Sequence, residues 1–67
     1  MATLMTNLKK HRVLANMSQD ELANRVGVRR ETIVHLEAGK YNPSLKLAYD
    51  ISKVFDVKIE EIFYYID

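Results

Sequence analysis

The sequence predicts a small all-α domain of five short helices, followed by a short C-terminal β-strand. Apolar residues recur at helical spacing along most of the chain, and Asn16, Gly27, Gly39 and Pro43 divide it into segments of helix length. The last four residues, which include two tyrosines and an isoleucine, favour a strand. With 67 residues the chain has room for one compact domain, residues 1–67.

The first two helices are predicted from their end signals. Helix 1 is expected over about residues 7–15, with Thr6 as its N-cap. Helix 2 opens at the capping box Ser18-Gln19-Asp20-Glu21, in which the hydroxyl of Ser18 and the carboxylate of Glu21 can each accept the other's backbone N–H. Gly27 ends this helix and allows only a very short turn before the next one.

The remaining three helices follow from turn residues and apolar spacing. Helix 3 is expected from roughly Arg30 to Ala38, and Gly39 closes it. The segment Asn42-Pro43-Ser44 turns the chain and caps helix 4, and a short helix 5 is expected over about Ile59 to Phe63. Helix 4 carries the apolar stripe Leu47, Ala48, Ile51, Val54 and Phe55.

Composition excludes several classes of protein but favours no partner by itself. The chain has no cysteine, which excludes disulfides and thiolate metal sites, and no apolar run long enough to span a membrane. It has no signal-peptide layout either, so the cytoplasm is the expected location. The net charge is only +1, yet eight basic and four acidic residues precede Leu47, against two basic and five acidic ones from there on. This asymmetry is compatible with a polyanion at one end, and equally with chance variation on a solvated surface.

Helices 2 and 3 are joined through Gly27 as an αα corner, the arrangement that places one helix in a DNA groove. Helical geometry puts Thr32, Ile33 and Leu36 on one side of helix 3 and Arg30, Glu31, Val34 and His35 on the other. The second set suits base edges, since an arginine can bind guanine, a glutamate a cytosine amino group and a valine a thymine methyl. A helix face that is simply exposed to solvent could carry the same polar residues, so this alternative stays open.

Two arginines at the start of helix 3 favour the DNA-facing interpretation. Arg29 and Arg30 lie where the helix dipole disfavours cations by about 0.3–1 kcal/mol each, and Glu31 offsets only part of that. A DNA phosphate would reverse the sign of this penalty. Gln19, at the start of helix 2, can donate to a phosphate, and Lys40 and Asn42 are further phosphate candidates in the loop after helix 3.

The run from Ser18 to Ser44 resembles the Cro/lambda-repressor (Xre-type) helix-turn-helix family. The matching positions are Ser18-Gln19, Leu22-Ala23, Gly27-Val28, Thr32-Ile33, Glu37, Gly39 and Pro43-Ser44, together with Arg12 upstream. The resemblance covers essentially residues 7–63, with a helix-turn-helix core at about 18–38. It implies five helices, with helix 3 in the major groove, base contacts from the positions of Arg29, Arg30, Glu31 and His35, and a phosphate contact from Gln19. It also implies that Arg12 pairs with Glu37 as a structural brace. Arg29 departs from the family, which often has a serine cap there.

The resemblance further implies that small members dimerise through the region after helix 4. Here the segment 59–67 contains the apolar run Ile62, Phe63, Tyr64, Tyr65 and Ile66. Two interpretations compete. These residues seal the core of the monomer, or some of them pair across a two-fold axis, with Thr3-Leu4-Met5 as an adjoining strand. We favour the dimer, because so long an apolar terminus exceeds what a monomer comfortably exposes.

An enzyme is not expected. His11 and His35 are the only histidines, no nucleophile–base grouping accompanies them, and no set of residues has metal-ligand spacing, so we expect no metal and no cofactor. The expected function is a dimeric, sequence-specific regulator, by default a repressor, on a near-palindromic site in double-stranded DNA. Its activity would follow its own concentration or a protein partner. Two alternatives remain: the DNA-binding antitoxin of a toxin–antitoxin pair, and a protein-interaction adaptor without DNA binding.

Overall fold

A computed structural model describes residues 2–67. Within these residues a short strand comes first and another comes last, and four α-helices and one turn of 3-10 helix lie between them. In chain order the elements are β1 (Thr3–Thr6), α1 (Leu8–Leu14), α2 (Gln19–Val26), α3 (Arg30–Glu37), α4 (Leu45–Phe55), the 3-10 turn (Ile59–Glu61) and β2 (Phe63–Ile66). No helix within residues 2–67 is long and apolar enough to cross a membrane.

The predicted caps of α2 and α4 are present. The Ser18 hydroxyl accepts the backbone N–H of Glu21 at 3.0 Å, and the Ser44 hydroxyl accepts that of Leu47 at 3.1 Å. Gly27 ends α2 in the left-handed region with φ 73°, as its position predicts. The second hydrogen bond expected of the capping box, from the backbone N–H of Ser18 to the carboxylate of Glu21, is replaced. That carboxylate accepts a hydrogen bond from Arg25 at 3.0 Å instead.

The start of α1 is shifted from its expected position. Thr6 was expected as the N-cap, but it is the last residue of β1, and α1 begins at Leu8 after Asn7. The Thr6 hydroxyl still accepts the backbone N–H of Leu8 at 3.0 Å. Thr6 therefore satisfies one unpaired donor of the helix, although it lies one residue before the cap position. Asn16, with φ 55°, takes the left-handed conformation expected after α1.

The prediction of a fifth α-helix is wrong. Asp56 ends α4 in the left-handed region, and Phe63 already pairs with Thr6 in the sheet, so residues 57–62 have room for a single turn. That turn is a 3-10 helix. Asn7 fixes its end, because its backbone N–H donates to the carbonyl of Ile62 at 2.8 Å and its side chain donates to the carbonyl of Glu61 at 3.2 Å.

The C-terminal strand pairs with the N-terminal strand of the same chain. The two are antiparallel, with Thr3 opposite Ile66, Leu4 opposite Tyr65, Met5 opposite Tyr64 and Thr6 opposite Phe63. Opposite residues in such a pair lie on one face of the sheet. The inner face therefore carries Leu4, Thr6, Phe63 and Tyr65, and the outer face carries Thr3, Met5, Tyr64 and Ile66. All four outer residues are exposed, and none is charged.

Every helix contributes to one core. The largest fully buried side chains are those of Leu8, Leu22, Ile33, Leu36, Ile51 and Ile62. Ile33 and Leu36 form the inner side of α3, as its periodicity predicts, and Leu47, Ala48 and Ile51 do the same for α4. Burying one side of α3 in this way leaves its other side on the surface.

Candidate nucleic-acid interface

The unit formed by α2 and α3 presents α3 at the surface. Gly27 turns the chain, and the backbone N–H of Val28 donates to the carbonyl of Ala23 at 3.0 Å, which closes the end of α2 tightly. Because Ile33 and Leu36 anchor the inner side of α3 in the core, its outer side is free to contact a groove. The residues predicted to read bases on that side, Arg30, Glu31, Val34 and His35, are all exposed.

The N-terminus of α3 is open. Arg29 occupies the cap position in an extended conformation, and its side chain makes no capping hydrogen bond. The backbone N–H of Thr32 donates to the carbonyl of Arg29 at 3.0 Å, which leaves those of Arg30 and Glu31 available to an anion beside two arginine side chains. This is the environment that the unfavourable placement of Arg29 and Arg30 predicts.

A cleft of about 480 Å³ lies between α1 and the beginnings of α2 and α3. It is open to solvent and is lined by Lys9, Arg12, Ser18, Gln19, Asp20 and Arg30. Three of these six residues are basic. The one acid, Asp20, lies with a carboxylate oxygen 4.0 Å from Nε of Arg30, and both side chains are mostly exposed. The cleft is thus basic in balance, and Asp20 competes for one of its arginines.

Arg12 and Glu37 form an ion pair beneath this cleft. Nε of Arg12 lies 2.6 Å from Oε2 of Glu37 and Nη2 lies 3.2 Å from Oε1, with only 11% and 6% of the two side chains exposed. Nη1 of Arg12 also donates to the carbonyl of Met17 at 2.8 Å. The hydrogen bond to Glu37 is the main cause that raises the pKa of Arg12 above its ordinary value. Burial opposes the rise, and Coulomb attraction to Glu37 adds to it.

Gln19 takes part in the same network, which the sequence did not indicate. Its side-chain nitrogen donates to Oε1 of Glu37 at 3.1 Å. A glutamine amide has two N–H groups, so one donor remains for another partner. Gln19 therefore lies at the start of α2, in the cleft, with its orientation fixed by Glu37.

The loop after α3 carries the other two predicted phosphate ligands. Lys40 and Asn42 are both exposed there. Asn42 has a partner that sequence reasoning missed, because its side-chain oxygen accepts a hydrogen bond from the hydroxyl of Tyr65 at 3.3 Å. The two residues are 23 positions apart, and only the packing of β2 beside the loop brings them together.

The structure divides the five residues predicted as a dimer interface. Ile62 is fully buried and Phe63 is 93% buried, so these two seal the core of the chain itself and are not free to contact a partner. Tyr64, Tyr65 and Ile66 are exposed, and Met5 lies beside Tyr64 on the outer face of the sheet.

The two histidines lie on different helices, His11 on α1 and His35 on α3. His11 is half-buried and its ring centroid lies 5.9 Å from that of Phe55, whereas His35 is exposed on α3. Within residues 2–67 no group of three or more histidine, cysteine, aspartate or glutamate side chains is placed to hold a metal ion.

A tightly turned helix pair with an exposed, arginine-flanked second helix is the architecture of a helix-turn-helix DNA-binding domain. The chain belongs to the Xre/Cro-like helix-turn-helix family, whose sequence profile matches residues 8–62. Its relatives are transcriptional regulators by name, and DNA binding in transcription regulation is the general role of the chain.

Relatives of similar length occur in archaea and bacteria. An uncharacterized HTH-type transcriptional regulator of Archaeoglobus fulgidus is 67% identical over 60 residues, which cover 90% of this chain and 84% of that one. Another, from Methanocaldococcus jannaschii, is 53% identical over 64 residues, 96% of this chain and 97% of that one. The regulator YgzD of Bacillus subtilis is 39% identical over 61 residues, 91% of this chain and 92% of that one.

Two solved structures share the fold. The restriction-modification controller protein C.AhdI from Aeromonas hydrophila superposes with a TM-score of 0.74 at 28% identity, over 81% of this chain and 82% of that one. A hypothetical transcription factor from Neisseria, NHTF, gives a TM-score of 0.75 at 25% identity, over 82% of this chain and 62% of that one.

Proposed function

We propose that this protein is a sequence-specific regulator of transcription that binds double-stranded DNA in the cytoplasm as a homodimer and represses by obstructing polymerase. The single observation that carries the proposal is the two-sided α3. Its inner side is locked into the core, and its outer side presents Arg30, Glu31, Val34 and His35 behind an uncapped, arginine-flanked N-terminus.

Base reading is the role of the outer side of α3. The guanidinium of Arg30 can bind O6 and N7 of a guanine as a two-pronged donor, and Arg29 stands beside it. Glu31 accepts from a cytosine amino group, Val34 packs against a thymine methyl, and His35 reaches a base or phosphate one turn further along. These contacts would give the protein its preference among sequences.

Backbone contacts come from both flanks of α3. On one side Gln19 has one free amide donor in the basic cleft, at the positive end of the α2 dipole. On the other side Lys40 and Asn42 extend from the loop after α3. Contacts of this kind set the orientation of the protein on the duplex without reading its sequence.

Dimerisation is assigned to the exposed end of the sheet, namely Tyr64, Tyr65 and Ile66 of β2 together with Met5 of β1. These side chains are exposed and uncharged, and a two-fold interface requires a surface that can pack against itself. A dimer would place two copies of α3 in successive major grooves, about 34 Å apart. Regulation would then follow the concentration of the protein or of a partner that competes for this surface.

Selection of binding sites from random duplex DNA, at a stated salt concentration, tests the proposal most directly. We expect an enriched, near-palindromic site whose half-sites are about one helical turn apart, centre to centre. A single asymmetric half-site would contradict the dimer and leave the DNA reading intact. Recovery of no enriched sequence would overturn sequence-specific binding and favour a protein-interaction adaptor.

A further inference from the structure

The two-stranded sheet lies directly behind the loop that follows α3. A Cβ atom added at Gly39 would lie 3.9 Å from the carbonyl oxygen of Leu4, so the backbone of β1 runs alongside the start of this loop. Leu4 itself packs against the core. On the neighbouring strand Tyr65 lies opposite Leu4, on the same inner face, and its hydroxyl contacts Asn42. The sheet therefore reaches the loop both through its backbone and through one side chain.

The direction of the hydrogen bond between Tyr65 and Asn42 determines what Asn42 offers to a ligand. The tyrosine hydroxyl donates, and the side-chain oxygen of Asn42 accepts. That bond occupies the acceptor of the amide and leaves its two N–H donors free. Donors are what a phosphate oxygen requires, whereas the amide oxygen would repel it. An asparagine in this orientation presents donors rather than an acceptor to a ligand.

We propose that Tyr65 is a positioning residue for DNA binding, whose hydroxyl holds the Asn42 amide with its nitrogen toward the phosphate backbone. This inference rests on the proposed DNA-binding function and on Asn42 as a phosphate ligand. Because Asn42 is exposed and otherwise free to rotate, fixing its side chain in advance lowers the entropy lost on binding. Through Tyr65, the pairing of β1 with β2 thereby sets the orientation of a side chain in the loop after α3.

A matched pair of variants tests the proposal. Tyr65→Phe removes the hydroxyl from the inner face and keeps the ring. Tyr49→Phe makes the same change on α4, outside both the sheet and the loop. Binding is measured with a labelled duplex recovered by selection from random sequence. We expect Tyr65→Phe to weaken binding about two- to tenfold, the size of one hydrogen bond, and Tyr49→Phe to leave it unchanged.

A double-mutant cycle identifies the route through Asn42. Asn42→Ala should weaken binding at least as much as Tyr65→Phe, and the double variant should be no weaker than Asn42→Ala alone. Since neither residue carries charge, both should leave the salt dependence and the preferred sequence unchanged, whereas Lys40→Ala lowers the salt slope by about one. Additive losses, or equal binding by Tyr65→Phe and Tyr49→Phe, would overturn the role of Tyr65.

A measurement without DNA separates this inference from the proposed function. In the free protein, Tyr65→Phe should shift the side-chain amide signals of Asn42 in NMR spectra and bring its two protons closer in frequency, while Tyr49→Phe should not. If the signals respond but the wild-type protein binds no duplex at any sequence, the DNA-binding function fails and the positioning role fails with it. If the wild type binds and the signals do not respond, only the positioning role is overturned.

Discussion

The guanidinium of Arg12 and the carboxylate of Glu37, 25 residues apart in the chain, form a two-pronged ion pair that is almost entirely buried. It joins α1 to the last residue of α3, and Gln19 of α2 donates to the same carboxylate. Three helices therefore meet at one carboxylate, which fixes the angle at which α3 reaches the surface. The pair belongs to the support of α3 and not to its exposed side.

Arg12→Ala should lower the free energy of unfolding by about 3–5 kcal/mol, because it leaves the Glu37 carboxylate buried without its cation. A domain of this size has only about 3–10 kcal/mol in total, so much of the variant would unfold at ordinary temperature. Arg12→Lys, which keeps the charge but not the two-pronged geometry, should be intermediate. Urea unfolding followed by circular dichroism gives these values.

The exposed pair of Arg25 with Glu21 provides the matched control for this prediction. Arg25→Ala should cost no more than about 0.5 kcal/mol, since about half of each side chain is exposed. Equal losses for Arg12→Ala and Arg25→Ala would show that burial of the Arg12 pair contributes nothing.

The pH dependence of the Arg12 contribution follows from the direction of its pKa shift. The pKa is raised in the folded state, so the stabilisation is fully present below the unfolded arginine pKa, itself far above neutral pH, and is lost only as the pH rises through the still higher folded value. The difference in stability between the wild type and Arg12→Ala should therefore be the same at about pH 6 and about pH 9. A difference that falls toward about pH 9 would contradict the raised pKa.

Arg30→Ala should weaken binding to the selected site by about 1–3 kcal/mol and relax the preference at one base position. Gln19→Ala should instead weaken binding to all sequences without changing the preferred site, because it removes a backbone contact. Titrations against the selected duplex and a panel of single-base variants distinguish the two patterns. Equal losses on every duplex for Arg30→Ala would exclude it from base reading.

Asp20→Asn should tighten DNA binding. The change removes a negative charge from the basic cleft and releases Arg30 from a carboxylate 4.0 Å away. An exposed charge pair at that distance is worth about 1 kcal/mol, which is about fivefold in affinity at low salt, and the gain should shrink as salt is added. Glu60→Gln makes the same charge change on the 3-10 turn, outside the cleft, and should have a smaller effect. The same gain from both variants would indicate net charge alone.

Tyr64→Asp should dissociate the proposed dimer. A charge placed on the uncharged outer face of the sheet should cost about 2 kcal/mol or more of association free energy, or at least about 30-fold in the dimer dissociation constant. Leu45→Asp, on the most exposed apolar residue of α4, is the control and should leave association unchanged. Sedimentation equilibrium measures both. If Leu45→Asp dissociates the dimer and Tyr64→Asp does not, the interface lies on α4.

Features set by neighbouring residues could be predicted from the sequence. The cap at Ser18, the left-handed ends at Asn16 and Gly27 and the inner side of α3 each depend on a few consecutive residues, and the structure has all of them. The exposure of Arg30 and His35 follows directly, because the outer side of a helix is determined once its buried side is known.

Features that depend on distant residues could not be predicted in the same way. The fifth helix fails because Thr6, at the other end of the chain, pairs with Phe63 and ends the helical region early. The sequence left two places open for Ile62, the core of the monomer or a dimer interface, and only its packing decides between them. Arg12 with Glu37 was expected through family resemblance alone, and the bonds of Gln19 and Tyr65 appear only when the helices and strands are packed together.

The antiparallel pairing of β1 with β2 leaves Thr3 directly across from Ile66, so these two residues, 63 positions apart in the sequence, are neighbours. A few glycines joining them would close the backbone into a ring with little distortion of the native fold. Restricting the unfolded chain over a loop of this length should add about 4 kcal/mol to the free energy of unfolding, by the same reasoning that applies to a disulfide. The ring could then be cut at the exposed turn around Asn16, which would produce a circular permutant whose new ends lie between α1 and α2.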